Sequence, residues 1–533
     1  MDMKRSASLA HRIGAAPMKR PNILLIMADQ LTPGALPVYG HKVTKAPNIE
    51  ALAAEGVVFD AAYCNSPLCA PSRYVFMSGR LPSAIGGYDN AAEFRADIPT
   101  FAHHLRRAGY RTILSGKMHF CGPDQLHGFE ERLTTDIYPA DFGWTPDWER
   151  PEDRPTWYHN MSSVIEAGPC VRTNQLDFDD EVVFSARRKL FDMARGDDDR
   201  PFCMTVSMTH PHDPFAIPEQ YWNLYRDEDI DLPRVTLPPE EMDPHSRRVR
   251  QVSDMDSVTI SDQQVRNARR AYYGAISYVD EQVGAIRRTL ADTGLDRNTI
   301  VIVLADHGEM LGERGLWYKM TFFEGSARVP LIVHMPERFG AHRVSAAVSL
   351  ADLLPTLVDF AHDSAAPAFE EPIDGRSLLP HLERRGGHDE AIGEYLAEGA
   401  VAPVVMIRRG RHKFIHCPAD PDQLYDLAAD PDELVNLAAD PAVVDPTVAD
   451  TVRGFREEVA RRWDLRRLHE EVLSSQRRRR LIWGTARDGG HSPWDYQPFR
   501  DATRQYMRNT MDLDDLEAMA RYPRVRPAAP STG

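Results

Sequence analysis

Two stretches of the chain are apolar without alternation, and each stops at a carboxylate. Asn22-Ile23-Leu24-Leu25-Ile26-Met27-Ala28 runs into Asp29-Gln30, and Thr299-Ile300-Val301-Ile302-Val303-Leu304-Ala305 runs into Asp306-His307-Gly308-Glu309. Continuous rather than alternating apolarity predicts strands buried on both faces of a parallel sheet. Tyr110 to His119 predicts a further strand that delivers Lys117 and His119 at its C-terminal end. Phe202 to Met208 predicts another, running into Thr209-His210-Pro211-His212, and Leu331 to His334 one more. Helices are expected over Asn48–Gly56, Pro99–Ala108, Asp179–Arg195 and Arg266–Leu290, the last with Val279, Val283 and Ile286 on one face. Ser349 to Phe360 reads as a helix interrupted by Pro355. Strands alternating with helices predict an α/β fold, a large mostly parallel sheet sandwiched by helices. No internal repeat is found.

The pattern changes near 361–390, where Ala, Pro and Glu accumulate and Gly386-Gly387 follows. Val401 to Cys417 then predicts an antiparallel hairpin turning near Arg409-Gly410, and Val444 to Glu471 a helix. The expected organisation is a disordered extension over 1–20, an α/β domain over 21–385, a smaller subdomain with a short antiparallel sheet over 386–475, and a tail over 476–533. The tail is rich in Arg, Trp and Tyr and then acidic at Asp512-Leu513-Asp514-Asp515. So many aromatics predict docking on its own body or a neighbouring subunit rather than full disorder.

The bulk numbers narrow the class. A chain of 533 residues, 42% hydrophobic and 27% charged, is that of a globular protein with a large core. A net charge of −16 argues against a nucleic-acid partner. No apolar run approaches the roughly 18 residues of a membrane span. Residues 1–18 are basic but lack an apolar centre, so a secretory signal is not expected; a transit peptide and a disordered extension with Met18 as a second start both fit. Six cysteines without a C-x-x-C exclude a disulfide scaffold and a zinc site, and predict a reducing, cytoplasmic compartment.

Ligands of open α/β sheets gather at the carboxyl ends of strands. A lone aspartate there would merely cap the next turn. Two such aspartates, Asp29 and Asp306, can enter one coordination sphere and suit a hard divalent cation, Ca²⁺ or Mg²⁺. His307 extends the range to Mn²⁺. Lys319, among Trp317, Tyr318 and Met320, is placed to reach an anion, although a surface lysine would read the same way.

Cys69-Ala70-Pro71-Ser72-Arg73, followed by Gly79-Arg80, resembles the C-x-P-S-R motif of the type I sulfatases. The resemblance extends from about Pro21 to Pro523 through Ser115-Gly116-Lys117-Met118-His119, Thr209-His210-Pro211-His212, Asp306-His307-Gly308 and Trp317-Tyr318-Lys319, in the family's order. It implies that a separate maturation enzyme oxidises Cys69 to formylglycine, whose hydrate attacks sulfur. It further implies a metal, with Ca²⁺ the first expectation, held by Asp29, Gln30, Asp306, His307 and residue 69. Arg73 would orient the diol, Lys117 and Lys319 would bind sulfate oxygens, His119 would take a proton from the diol, and His210 would protonate the leaving oxygen.

Most arylsulfatases carry Asp-Asp and Asp-Asn at the two metal strands, whereas this chain has Asp29-Gln30 and Asp306-His307. That variant resembles the choline sulfatases and the phosphonate monoester hydrolases, and Asp136 to Trp144 together with Tyr506-Met507-Arg508-Asn509 resemble the choline sulfatase branch. The implied substrate is choline sulfate. Its quaternary ammonium needs aromatic faces and carboxylates. The branch implies Trp144 and Asp514 for that role, with Glu394, His159 and Asn160 lining the same pocket. It also implies a homo-oligomer, a dimer of dimers. A phosphonate monoester or phosphodiester hydrolase would use the same metal and nucleophile. A non-catalytic binding protein on the same fold is disfavoured by intact Cys69, Arg73, Lys117, His210 and Lys319. A two-metal mutase is disfavoured by C-x-P-S-R.

Overall fold

Leu24 and Leu25 lie at the centre of the largest sheet, and both are fully buried. The computed structural model describes residues 20–362, 368–439 and 446–489. Its main sheet has eight strands: β1 (Asn22–Asp29), β2 (Val57–Tyr63), β3 (Arg111–Gly116), β4 (Glu131–Arg132), β5 (Phe202–Pro211), β6 (Thr299–Ala305), β7 (Arg328–His334) and β8 (His342–Ser349). Their order across the sheet is β8-β2-β7-β6-β1-β5-β3-β4. β1 lies parallel between β5 and β6, with Leu25 opposite Thr205 on one side and Ile302 on the other. Only β7 runs antiparallel to its neighbours. The carboxyl ends of β1, β3, β5 and β6 therefore open on one edge.

Helices cover the sheet. α1 (Cys69–Ser78) is buried along its whole length. α2 (Asn174–Arg195) and α3 (Asp262–Thr293) pack on each other and on β5. α3 outruns the expected 266–290 because Ser261 and Gln264 form a capping box at its start and Gly294, at φ 69°, ends it. Pro355 does not interrupt its helix. It falls in the first turn of Leu353–Phe360, where its missing N–H costs nothing.

A second, antiparallel sheet contains β9 (Glu390–Tyr395), β10 (Val404–Arg409), β11 (His412–His416) and β12 (Gln423–Asp426), in sequence order. β10 and β11 form the expected hairpin. Asn65 fastens this sheet to the loop before α1: its Nδ2 donates to Ile392 O at 2.7 Å and its carbonyl accepts from Glu394 N at 2.8 Å. The helix expected over 444–471 is two helices, α4 (Pro446–Arg462) and α5 (Leu465–Asp488). They break at Trp463-Asp464, where Asp464 turns back to cap Arg467 N at 3.0 Å. α5 runs unbroken through the boundary expected at 475. No described helix is long and apolar enough to cross a membrane.

Candidate active site

Asp29 ends β1, Asp306 and His307 follow β6, and Cys69 opens α1. One donor atom from each of these four buried residues lies within 4.8 Å of the other three. Cys69 Sγ is 3.2 Å from His307 Nε2 and 3.9 Å from Asp29 Oδ1. His307 Nδ1 faces Gly308 O at 3.0 Å, so the hydrogen sits there and the Nε2 lone pair faces the cluster. Burial lowers the pKa of His307, and Lys319 adds to that against the pull of Asp306, which keeps the imidazole in its ligating, neutral form. Two carboxylates, a neutral imidazole and residue 69 fit a divalent cation. Gln30 stands beside them, with its side chain engaged elsewhere: Oε1 accepts from Lys319 Nζ at 2.6 Å and Nε2 donates to Glu309.

Positive charge surrounds the cluster. Arg73, wholly buried, donates from Nη2 to Asp29 Oδ2 at 2.9 Å, from Nε to Asp306 Oδ2 at 2.8 Å and from Nη1 to Ser207 Oγ at 2.9 Å. Lys117 forms an ion pair with Asp29, and its Nζ stands 4.0 Å from the centre of the Tyr138 ring. Burial alone would raise the pKa of Asp29, but Lys117, His212 and Arg73 hold the carboxyl well below the usual range. Lys319 keeps its charge despite burial, because Cys69, Asp213 and Asp29 raise its pKa.

The cluster opens into a cleft of about 320 Å³. Cys69, His119, Lys319, His212, Trp144, Trp157, His159, Asn160 and Glu398 line it, with the His119 ring edge-on to Trp144 at 5.6 Å and the His159 ring 6.0 Å from that of His212. The backbone at His119 is fixed because Asp136 Oδ2 accepts from both Met118 N and His119 N at 2.9 Å. Both ring nitrogens of His119 are buried without a partner, aimed into the cleft. Trp144 and Trp157 stand nearly parallel, with ring centres 6.3 Å apart. Left-handed backbone at non-glycine residues recurs around this site: Gln30 at φ 63°, His119 at 55°, Tyr318 at 66° and Met320 at 79°. Such conformations are held only where the surroundings over-determine them.

Three expected residues are placed differently or fall outside the description. His210 does not line the cleft. Its Nδ1 lies 2.7 Å from Asp179 Oδ2 on α2, and its ring packs edge-on to Tyr278. The reason is a bulge: Ala28 pairs with Met208 but Asp29 with Pro211, so Thr209 and His210 have no partner on β1. His212 takes the place beside the site, with Nε2 2.9 Å from Lys319 Nζ. Glu394 is fully buried away from the cleft, its carboxylate accepting from Ser83 N and Oγ, both at 2.7 Å, and from Trp463 Nε1 at 2.6 Å. Glu398 lines the cleft instead, 5% exposed and with Oε2 unpartnered. Asp514 lies outside the described residues. Sequence reading also passed over Tyr138 and Trp157; both sit near Trp144, in a segment whose aromatic density was the available signal.

The chain matches known proteins along most of its length. A family model described as Sulfatase matches residues 21–364, one described as choline sulfatase enzyme C terminal matches 470–522, and one described as N-sulphoglucosamine sulphohydrolase, C-terminal matches 312–457. A choline-sulfatase of Rhizobium meliloti (strain 1021) is 48% identical over 511 residues, covering 95% of this chain and 99% of its own. An arylsulfatase of Clostridium perfringens is 28% identical, covering 76% and 90%. The crystal structure of the phosphonate monoester hydrolase of Agrobacterium radiobacter superposes with a TM-score of 0.65 at 27% identity, covering 84% of this chain and 96% of its own. Through the match over 21–364 and the near full-length relative, the chain belongs to the sulfatase family and is a sulfuric ester hydrolase.

Proposed function

We propose that the protein hydrolyses choline sulfate to choline and sulfate. The observation that carries this reading is the composition of one cleft. Lys319 and Cys69 line it together with two tryptophans and a buried carboxylate, Glu398, whose Oε2 has no partner. A sulfate ester with a quaternary ammonium head fits such a lining, because aromatic faces and a carboxylate recognise a cation that has no hydrogen to donate. The near full-length relative named choline-sulfatase supports the same substrate.

Formylglycine made from Cys69 would supply the hydrated aldehyde that attacks sulfur, and a divalent cation held by Asp29, Asp306 and His307, with Gln30 alongside, would draw charge from the sulfate oxygens. The remaining steps fall to this chain's own side chains. Lys319 and Lys117 bind sulfate oxygens where negative charge develops. Arg73 holds Asp29 and Asp306 in place through two buried ion pairs. Burial and Lys319 keep His212 neutral, and its Nε2 accepts from the Lys319 ammonium, so Lys319, aimed by His212, supplies the proton that lets choline leave as an alcohol rather than an alkoxide. His119, with both nitrogens free, accepts the proton whose loss expels sulfate from residue 69. Trp144, Trp157, His159, Asn160 and Glu398 form the ammonium end.

The test compares kcat/KM for choline sulfate, 4-nitrophenyl sulfate and a phosphodiester on one preparation. The mass of the tryptic peptide spanning residue 69 reports its conversion to the aldehyde. Choline sulfate is expected to be the best of the three. A preference for the phosphodiester would replace this reading with that of a phosphonate or phosphate ester hydrolase.

A further inference from the structure

The two ends of the cleft are braced differently. At the sulfate end Asp29, Arg73, Lys117, Asp306 and Lys319 bond to one another, to Gln30 and to strand ends. At the ammonium end Trp144 closes a single 3-10 turn, Phe142–Trp144, whose local hold is Gly143 N on Asp141 Oδ1 at 3.0 Å. Thr145 Oγ1 also donates to Phe142 O at 2.8 Å, Cys121 Sγ donates to Asp141 O at 3.3 Å, and the Tyr138 and His119 rings lie against Trp144; further support comes from α5. Arg479, 5% exposed, donates from Nη1 to Asp89 Oδ1 at 2.6 Å and to Thr145 Oγ1 at 3.2 Å, and from Nη2 to Asp89 Oδ2 at 2.7 Å. One turn before it, Gln476 Oε1 accepts from Trp148 N at 2.9 Å. One turn after it, the Trp483 ring lies so close to Gly143 that a Cβ there would stand 3.3 Å from it. Successive turns of one helix face thus hold positions on both sides of Trp144. Asp89 is fully buried, and its neighbour Asn90 lines the cleft.

We propose that Arg479 is a specificity-determining positioning residue: from α5 it clamps Thr145 to Asp89 and so fixes the Trp144 wall of the cleft against a quaternary ammonium, without itself bonding to the sulfate-binding cations. This rests on the choline sulfate reading above. Arginine is required because one planar fork must grip both carboxylate oxygens and still reach a hydroxyl; lysine offers the charge at a single point. The bonds of Arg479 end on Asp89 and Thr145; the nearest link to the Cys69 cluster is Asn90, beside Asp89, whose Oδ1 accepts from Ala70 N at 3.0 Å.

The decisive variant is Arg479→Lys, which keeps the buried charge opposite Asp89 and loses the fork. Its KM for choline sulfate should rise about tenfold with kcat nearly unchanged, the pattern of lost ground-state binding, and kcat/KM for 4-nitrophenyl sulfate should stay within about twofold. The dissociation constant of choline, by isothermal titration, should rise in parallel. Asp89→Asn combined with Arg479→Met removes both charges, so that no lone carboxylate destabilises the fold. Its KM should remain raised even where the melting temperature recovers. Equal losses on both esters, an unchanged KM in folded Arg479→Lys, or a KM restored in the double variant would each overturn the clamp. A wild-type enzyme that binds choline but leaves choline sulfate intact would sink the substrate reading, and the choline titrations would then decide the clamp by themselves. A wild-type enzyme that binds no choline would overturn both.

Discussion

Glu394 and Glu398 stand one short loop apart, and only the second faces the cleft. Glu394 lies within β9, where its carboxylate is used up by Ser83 and Trp463. Sequence alone names two glutamates; the choice between them depends on where the strand ends. Burial pushes the Glu398 carboxyl up to about 7, and Asp89 adds to the rise. Because this folded-state value lies above the ordinary 4.5, ionising Glu398 costs the free protein stability as pH rises from 4.5 to about 7. A bound ammonium offsets that cost. The KM for choline sulfate should therefore fall as pH climbs through about 7. In Glu398→Gln that inflection should vanish and affinity at high pH should drop by about 1–3 kcal/mol, the range for a lost charged contact. The neutral aryl ester should register neither change. An identical pH profile for the variant would remove Glu398 from the ammonium end. The two histidines of Thr209-His210-Pro211-His212 make a second contrast. His212→Ala removes the Nε2 that aims the Lys319 ammonium at the leaving oxygen, so it should slow choline sulfate by about 10²-fold, the low end of an acid–base contribution, and slow an aryl sulfate less, since a phenolate leaves without help. A larger loss from His210→Ala than from His212→Ala in folded protein would reverse the assignment.

At the level of elements, the strands ending at Asp29 and Asp306 were legible because an unbroken apolar run has few other uses. The bulge between them and His212 was not, because it exists only in the pairing of β5 with β1. Asp179 holds that bulge: it accepts from Thr209 N at 2.6 Å, from His210 N at 2.9 Å and from His210 Nδ1 at 2.7 Å, all buried. Asp179→Ala orphans these donors in the interior, at a cost of about 2–4 kcal/mol by denaturant unfolding, since each buried unpaired group costs about 1–3. It should also lower turnover more on the alkyl than on the aryl ester, because His212 hangs from the far side of the same bulge. Stability unchanged within error would mean that the bulge is held by the strand alone. The break at Trp463-Asp464 was hidden for the opposite reason. Helical periodicity continues through it, and the stop comes from one aspartate capping the next helix.

Across the whole molecule, the two sheets are joined through Lys413 on β11. Its side chain is fully buried, and Nζ reaches Glu324 at 2.7 Å and both Glu433 and the carbonyl of Phe322 at 2.8 Å. Glu324 stands just before β7 of the main sheet, and its N–H is taken by Glu433 at 2.8 Å, so one cation and two carboxylates close the seam between the sheets. This seam was not legible beforehand, because a lysine in an alternating hairpin reads as a solvated face. Burial opposes ionisation of Glu324, and Lys413 with Arg328 outweighs it, setting the carboxyl at about 2. A folded value below the ordinary 4.5 contributes stability that is complete above 4.5 and is lost as pH falls toward about 2. Lys413→Met keeps the bulk of the stem and leaves two carboxylates facing each other in the interior. Removing one partner of a buried pair costs about 3–5 kcal/mol, so the variant should unfold at much lower denaturant than the wild type at pH 7. The deficit should shrink as acid protonates the carboxylates, since a neutral pair no longer repels. The Cys69 cluster does not touch this seam, so the folded fraction should hydrolyse 4-nitrophenyl sulfate at the wild-type rate per active site. A stability deficit that stays constant from pH 7 to pH 4 would show that Lys413 matters for packing and not for charge.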